Sequence, residues 1–249
     1  MYEQHNIEEL YALIGSLPGQ EFSRGAHIDF IKTSHSIWPN QLINLRATQS
    51  ELDGLLDDLE NKVESGQLPS IYMGNPSADE PSILEGLNSR GYKTGQWTAM
   101  SHDLEIIQKI PTAPGIEIKA ISSIEEMAVF IRIVETELMG GAEINHQIFN
   151  TLLNHSSCHF FLAYEQNLAV GCGLLFIGSD SGGIYIVATA ASHRKKGIGS
   201  LITNTCLKKA KELKCKKVDL QATALGKSVY AALGFKVFGD IPVFKIGKG

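Results

Sequence analysis

Apolar and polar residues alternate over residues 116–121, Ile-Glu-Ile-Lys-Ala-Ile, the period of a strand with one buried face. The period then lengthens: Ile124, Met127, Ala128, Ile131, Val134 and Leu138 recur every three or four residues, predicting a helix capped by Ser122 or Ser123. A second, short helix is expected over residues 145–153. Three aromatic or β-branched runs follow, at residues 159–164, 169–177 and 183–189, broken by Gln-Asn and Gly-Ser-Asp-Ser-Gly-Gly. Strands of that kind joined by such turns predict an antiparallel meander. Ile198, Leu201, Ile202, Thr205, Ala210 and Leu213 then mark one helix face, residues 217–221 a strand, and residues 228–233 a short helix ended by Gly234. Two closing strands are expected within residues 235–246.

The first hundred residues are less periodic, yet their end repeats the end of the second half. Leu87-Asn-Ser-Arg-Gly91-Tyr92-Lys93 matches Tyr230-Ala-Ala-Leu-Gly234-Phe235-Lys236 at an offset of 143 residues. In each, a helix-ending glycine precedes an aromatic, a lysine and a predicted strand. Working backwards, residues 68–73 read as a strand. Leu52, Leu55, Leu56, Leu59 and Val63 read as a helix face opened by Ser50 with Asp53 three residues on, and residues 41–46 as the strand before it. Between the halves, Pro111-Thr-Ala-Pro114-Gly115 suits neither a helix interior nor a central strand. The chain therefore divides into residues 1–110, a linker at 111–115 and residues 116–249, and the fold class is mixed α/β (α+β).

Composition narrows the functional classes. With 249 residues, 43% hydrophobic and 20% charged, the chain is neither disordered, collagenous nor coiled coil. A net charge of −5 argues against a nucleic-acid binder. The charge is uneven: residues 194–217 carry nine basic side chains and one acid, +8, which leaves −13 elsewhere. A +8 segment can steer a polyanion, and an acidic remainder favours a cationic acceptor. Cys158, Cys172, Cys206 and Cys215 show no Cys-x-x-Cys pairing and read as reduced thiols. The longest apolar stretch, residues 168–178, is too short for a membrane span, and residues 1–5 lack the basic, then apolar start of a signal peptide. The expectation is a cytoplasmic protein with no membrane partner. His155-Ser-Ser-Cys158-His159 has no spacing that converges on one ion, so no metal is expected.

The strongest local signal is Thr189-Ala-Ala-Ser-His-Arg194-Lys195-Lys196-Gly197-Ile198-Gly199-Ser200, between a predicted strand and a predicted amphipathic helix. Glycines let backbone approach a ligand, and a helix N-terminus offers unpaired amides with a partial positive charge. Together they make an anion cradle suited to a pyrophosphate. The spacing is neither that of a Walker loop nor Gly-x-Gly-x-x-Gly. Arg-x-x-Gly-x-Gly after the fourth strand of this order, with Tyr230-x-x-x-Gly234-Phe235 about 36 residues later, resembles the GNAT superfamily of acyl-CoA N-acyltransferases over residues 116–246.

The resemblance implies a GNAT-like, mostly antiparallel central sheet flanked by helices, in tandem with a smaller, degenerate GNAT-like first domain. It implies acetyl-CoA as co-substrate. Arg194, Lys195, Lys196, Gly197, Ile198, Gly199 and Ser200 would hold its pyrophosphate, and Ile186, Val187, Ala188 and Thr189 would pair with its pantetheine arm. Tyr230 falls at the family's usual general acid; its hydroxyl can donate to the leaving sulfur as charge develops. One departure is Thr223, where many members carry asparagine. Residues 183–192 contain no Asp or Glu to act as a base, which leaves Glu135, Glu137, Glu143, His146, Tyr185, His193 or a relayed water. In the first half, Arg46-Ala-Thr-Gln-Ser-Glu51 would stand where the loop should be, without glycines and with an acid that repels phosphate. That half is expected to wall the acceptor cleft, with Trp38, Tyr72 or Trp97 as lining candidates. The expected function is acetyl transfer from acetyl-CoA to a primary amine of a small molecule or peptide in a ternary complex, by a monomer or homodimer. The alternative is a non-catalytic CoA-binding or protein-interaction module. Transfer to a hydroxyl, or of a longer acyl chain, is left open by the residues.

Overall fold

The structure is a computed structural model that describes residues 5–75, 79–110 and 113–247. Residues 1–4, and with them most of the segment read for a signal peptide, lie outside the described residues, as do Pro111 and Thr112 of the expected linker. The first half supplies α1 (His5–Gly15), β1 (Gln20–Arg24), β2 (Asp29–Thr33), β3 (Gln41–Ile43), α2 (Leu52–Glu64), β4 (Ile71–Met73), α3 (Pro81–Ser89) and β5 (Lys93–His102). The second supplies β6 (Ile116–Ala120), α4 (Ile124–Glu137), α5 (His146–Leu152), β7 (Cys158–Glu165), β8 (Leu168–Ile177) and β9 (Gly182–Thr189). A 3-10 turn (Ala191–His193), α6 (Ile198–Glu212), β10 (Val218–Ala222), α7 (Ala224–Ala232) and β11 (Lys236–Lys245) complete it.

All eleven strands form one sheet, in the order β1-β2-β3-β4-β11-β5-β10-β9-β8-β7-β6. Only β3–β4 and β9–β10 pair in parallel, so the mixed, mostly antiparallel sheet flanked by helices that the resemblance implied is what forms. One expectation fails: a single strand, β11, closes the chain instead of two, with a register shift between Val237 and Gly239 that absorbs the irregularity read as a break. The predicted cap of α2 is also not made: Glu51 is its N-cap and makes no side-chain cap bond, while its carboxylate accepts from the Thr48 amide at 2.9 Å and from the Thr48 hydroxyl at 2.6 Å. Ser123, by contrast, caps α4 as expected, accepting from the Glu126 amide at 3.2 Å.

The repeated helix-end motif explains the centre of the sheet. Gly91 and Gly234 both adopt positive φ, +74° and +96°. The amides of Tyr92 and Phe235 then reach back to the carbonyls of Leu87 and Tyr230 at 3.2 and 3.1 Å, closing two Schellman caps. Each cap launches a ten-residue strand, β5 or β11, and these two pair antiparallel with each other. Each also crosses over: β5 lies against β10 of the second half and β11 against β4 of the first.

Three apolar clusters hold the layers. α1, α4 and α5 cover one face of the β7–β9 region, and α6 with α7 covers the other. α2 and α3 cover the first half's strands. α6 buries Ile198, Ile202, Cys206 and Ala210, spaced four apart, while Leu213, expected on that face, is 42% exposed. Glycine in β8 makes the close approach possible: a Cβ at Gly173 would stand 2.5 Å from the Ile202 side chain.

Candidate functional site

β9 and β10 part to form a fork. They pair only at Val218 with Gly182 and Asp219 with Gly183, after which β9 runs on to Thr189 and β10 to Ala222. β10 is satisfied on its other side by β5, where Leu220, Gln221 and Ala222 oppose Met100, Ala99 and Thr98. On β9 the register against β8 slips by one residue, so that Tyr185 opposes Leu174 but Ala188 opposes Cys172. Ile186 takes φ +55°, an outlier for a β-branched residue. Among the described residues, Ile186 and Val187 have no register partner on β8 or on β10. Strained backbone beside an opened ladder is the arrangement that suits a strand-like ligand.

The fork leads to the Arg194–Gly199 loop. Gly197 is the N-cap of α6 with φ +79° and no side-chain cap bond, so the first-turn amides from Ile198 to Ser200 lack intrahelical partners at the positive end of a fifteen-residue helix. Ile198 itself is buried, which leaves only its amide for a ligand. Gly199 is the more telling glycine. Its φ is not positive, and an added Cβ would meet nothing nearer than Thr189 Oγ1 at 3.9 Å, so neither strain nor the protein's own packing demands it. Close approach of a bound group would.

Tyr230, on α7, stacks edge-on against Phe235 with ring centroids 5.8 Å apart. Gly226, one turn earlier, makes room: a Cβ there would come within 2.8 Å of the tyrosine ring. Burial pushes the Tyr230 hydroxyl up to about 12. Thr223 is the N-cap of α7 and makes no side-chain cap bond.

Most of the expected bases have other work. Glu135 accepts from the Ile144 amide and pairs with His146, both at 3.1 Å. Glu137 pairs with Arg194 and accepts from the Ala191 amide. Tyr185 donates to Asn6 Oδ1 at 2.7 Å inside the core, and His193 sits between Ser192 and Glu165. Glu143 is exposed. A carboxylate that the sequence reading missed stands at the neck of the fork: Asp219 is 3% exposed, neither oxygen is hydrogen-bonded among the described residues, and Lys217 Nζ lies 3.4 Å away. Its signal was an acid at an inward position of the short strand Val-Asp-Leu-Gln.

The basic run also proves less uniform than its count. Lys211 donates to the carbonyls of Leu104 and Glu105 at 2.9 and 3.0 Å, and Lys209, Lys216 and Lys217 pair with Glu212, Asp180 and Asp219. Lys208 to Lys217 lie toward or beyond the far end of α6, more than about 14 Å along the axis from the loop, beyond a physiological Debye length. The local field at the loop therefore comes from the loop. His155, Cys158 and His159 line a cavity of about 360 Å³ with Phe160, Phe161 and Lys209, near the start of β7. Among the described residues no cluster of three or more His, Cys, Asp or Glu is placed to hold a metal ion.

In the first half the corresponding place is filled. Tyr72 is fully buried, donates to Asp79 at 2.8 Å and accepts from the Leu45 amide at 3.4 Å, bridging the gap beside β3. Burial raises Asp79 to about 6. Arg46 is held by Asp29 at 2.5 Å and by the Gly25 carbonyl at 2.7 Å. Tyr72 therefore lines no cleft. Trp38 packs on Phe149 at 5.8 Å, beside hydrogen bonds from Asn145 to the Ser34 carbonyl and Ser36 hydroxyl, so residues 34–38 brace α5. Trp97 is half-buried against the core.

A family model described as an acetyltransferase (GNAT) domain matches residues 156–237, which span the meander, the fork, the loop and Tyr230. Residues 156–237 are therefore identified as a GNAT acetyltransferase domain. A Bacillus subtilis (strain 168) protein assigned as an acetyltransferase is 30% identical over 92 residues, 37% of this chain. The chain spans 61% of that relative's length. Over nearly the whole chain the GNAT fold recurs in a GCN5-related N-acetyltransferase from Kribbella flavida (TM-score 0.72, 14% identity, 97% of this chain and 96% of that one). It recurs again in one from Sphaerobacter thermophilus (0.69, 15%, 97% and 86%). A tandem GNAT protein from the clavulanic acid biosynthesis pathway shares it as well (0.61, 13%, 98% and 88%). No helix among the described residues is long and apolar enough to cross a membrane.

Proposed function

We propose that this GNAT protein is a cytoplasmic N-acyltransferase that moves an acetyl group from acetyl-CoA directly to a primary amine while both are bound. The observation that carries the reading is the pairing of an opened β9–β10 fork with an uncapped α6 whose Gly199 has room the protein does not use. The amides at the start of α6 suit the diphosphate, and the unpaired stretch of β9 suits the amide-bearing arm. The amine nitrogen attacks the thioester carbonyl, the carbon–sulfur bond breaks, the sulfur leaves with the electron pair, and the nitrogen's proton passes to water. Tyr230, kept protonated by burial, donates a hydrogen bond to that sulfur as its charge grows. The second half supplies the donor site; the first half braces α5 through residues 34–38 and so shapes the acceptor side.

One observation favours a second reading, a CoA-binding module without turnover: five of the six candidate bases are already held by protein partners. Thermal-shift measurements with CoA and acetyl-CoA, followed by an amine panel monitored for free thiol, separate the two. The enzyme reading expects stabilisation of about 2.7 kcal/mol at a ligand concentration 100-fold above Kd. It also expects thiol release that Tyr230→Phe slows by at least about tenfold without loss of CoA binding. Stabilisation without thiol release from any amine selects the binding module, and no stabilisation by either ligand defeats both.

A further inference from the structure

Every basic side chain of the loop except Lys195 is already matched by an acid from outside it. Glu137, the last residue of α4, accepts from the Ala191 amide through Oε1 at 3.1 Å and from Arg194 Nη2 through Oε2 at 2.7 Å. Its side chain is 13% exposed. Arg194 in turn donates through Nε to the Thr189 carbonyl at 3.3 Å, which ties the end of β9 to the loop. On the other flank Glu165, at the end of β7, takes His193 Nε2 at 3.1 Å and Lys196 Nζ at 3.0 Å. Both paired cations lie on the loop, and both acids belong to other elements, so one pair fixes the loop to α4 and the other to β7. Lys195 stands between them, exposed, at φ +63°, with no ion pair among the described residues.

We infer that Glu137 and Glu165 are positioning residues for the donor's diphosphate, and that Lys195 is the loop's one side-chain cation available to it. The inference rests on the acyltransferase reading and deepens it: Arg194 and Lys196 shape the loop, whereas the first-turn amides of α6 and Lys195 meet the charge. It also removes Glu137 from the candidate bases, because both of its oxygens accept hydrogen bonds that a proton would weaken. A left-handed lysine is strained, and such strain persists where the surroundings over-determine it. Here the two flanking clasps do so.

The test compares two donors, acetyl-CoA and acetyl-pantetheine, which lacks the diphosphate. In Glu137→Gln the ratio of kcat/KM for acetyl-CoA to that for acetyl-pantetheine falls by about tenfold, the scale of one charge-assisted hydrogen bond. Arg194→Gln gives a similar fall, and the double variant falls little further, because the two act as one unit. Lys195→Met lowers the same ratio and flattens the salt dependence of CoA binding, while Lys196→Met changes that dependence less. An equal loss of kcat with both donors in Glu137→Gln would place that carboxylate at the reacting centre and overturn the inference. An unchanged ratio would overturn it as well. Failure of the parent protein to bind CoA is seen before any variant is made; it removes the acyltransferase reading first and this one with it.

Discussion

At the scale of single residues, Tyr230 shows how burial changes a role that type and spacing suggest. A tyrosine ordinarily ionises near 10 and a thiol near 8.5. With its hydroxyl raised to about 12 by burial, Tyr230 stands well above the sulfur it would serve, so it acts as a hydrogen-bond donor through the whole working range. The sign is definite: a raised value keeps the protonated form to higher pH, and loss of the donor begins only about one unit below 12. The rate of acetyl transfer at saturating donor should therefore show no alkaline limb from this residue up to about pH 11. A pH profile of kcat for the parent protein and for Tyr230→Phe checks it. If the parent loses rate between pH 9 and 10 and Tyr230→Phe does not, the tyrosine titrates there and the burial argument is wrong.

Between elements, the contact that ties the halves on the α1 side runs through a glycine. Asn6 of α1 donates to the Ser181 carbonyl at 2.6 Å and accepts from Tyr185 of β9 at 2.7 Å. Both bonds are buried, and a Cβ at Gly183 would fall on the Asn6 side chain and the Tyr185 ring. Gly183→Ala should cost about 2–4 kcal/mol, combining overpacking with a strained buried hydrogen bond. Gly95→Ala in β5, where an added Cβ meets nothing within 4 Å, should change stability by less than about 0.5 kcal/mol. Urea midpoints for the two variants measure the contrast, and equal midpoints would mean that α1 does not dock as described. This contact was illegible in the sequence, because Asn6 meets Ser181 and Tyr185 more than 170 residues along the chain and no local pattern announces it. What was legible was local. The loop, the αL glycines and the helix faces follow from spacing alone, so the donor side of the site could be read. The fork came only with the resemblance, because strand divergence is a property of pairing, and Asp219 was passed over because one acid in a strand has no pattern.

At the scale of the whole molecule, the exchange of β5 and β11 joins the two halves in one sheet, although the sequence reads as divided at residues 111–115. A second half cut free at that point keeps β10 but loses β5, its antiparallel partner, and β11 loses both neighbours at once. A ten-residue strand stripped of both ladders, and β10 stripped of one, expose rows of unpaired amides and carbonyls, and the faces of Met100 and Ala99 that complete two core clusters are lost. We therefore expect residues 116–249 produced alone to be insoluble or unfolded. The intact protein cut at a protease site inserted after Ala113 should behave otherwise. Its two fragments should migrate as one species in native gel filtration, separate only in denaturant, and keep the thermal shift with CoA, because the strand pairing that joins the halves lies in β4, β5, β10 and β11. If instead residues 116–249 alone gave a cooperative thermal transition and acetylated the same amine with unchanged efficiency, the exchanged strand would be dispensable. The first half would then have no share in the acceptor side of the site.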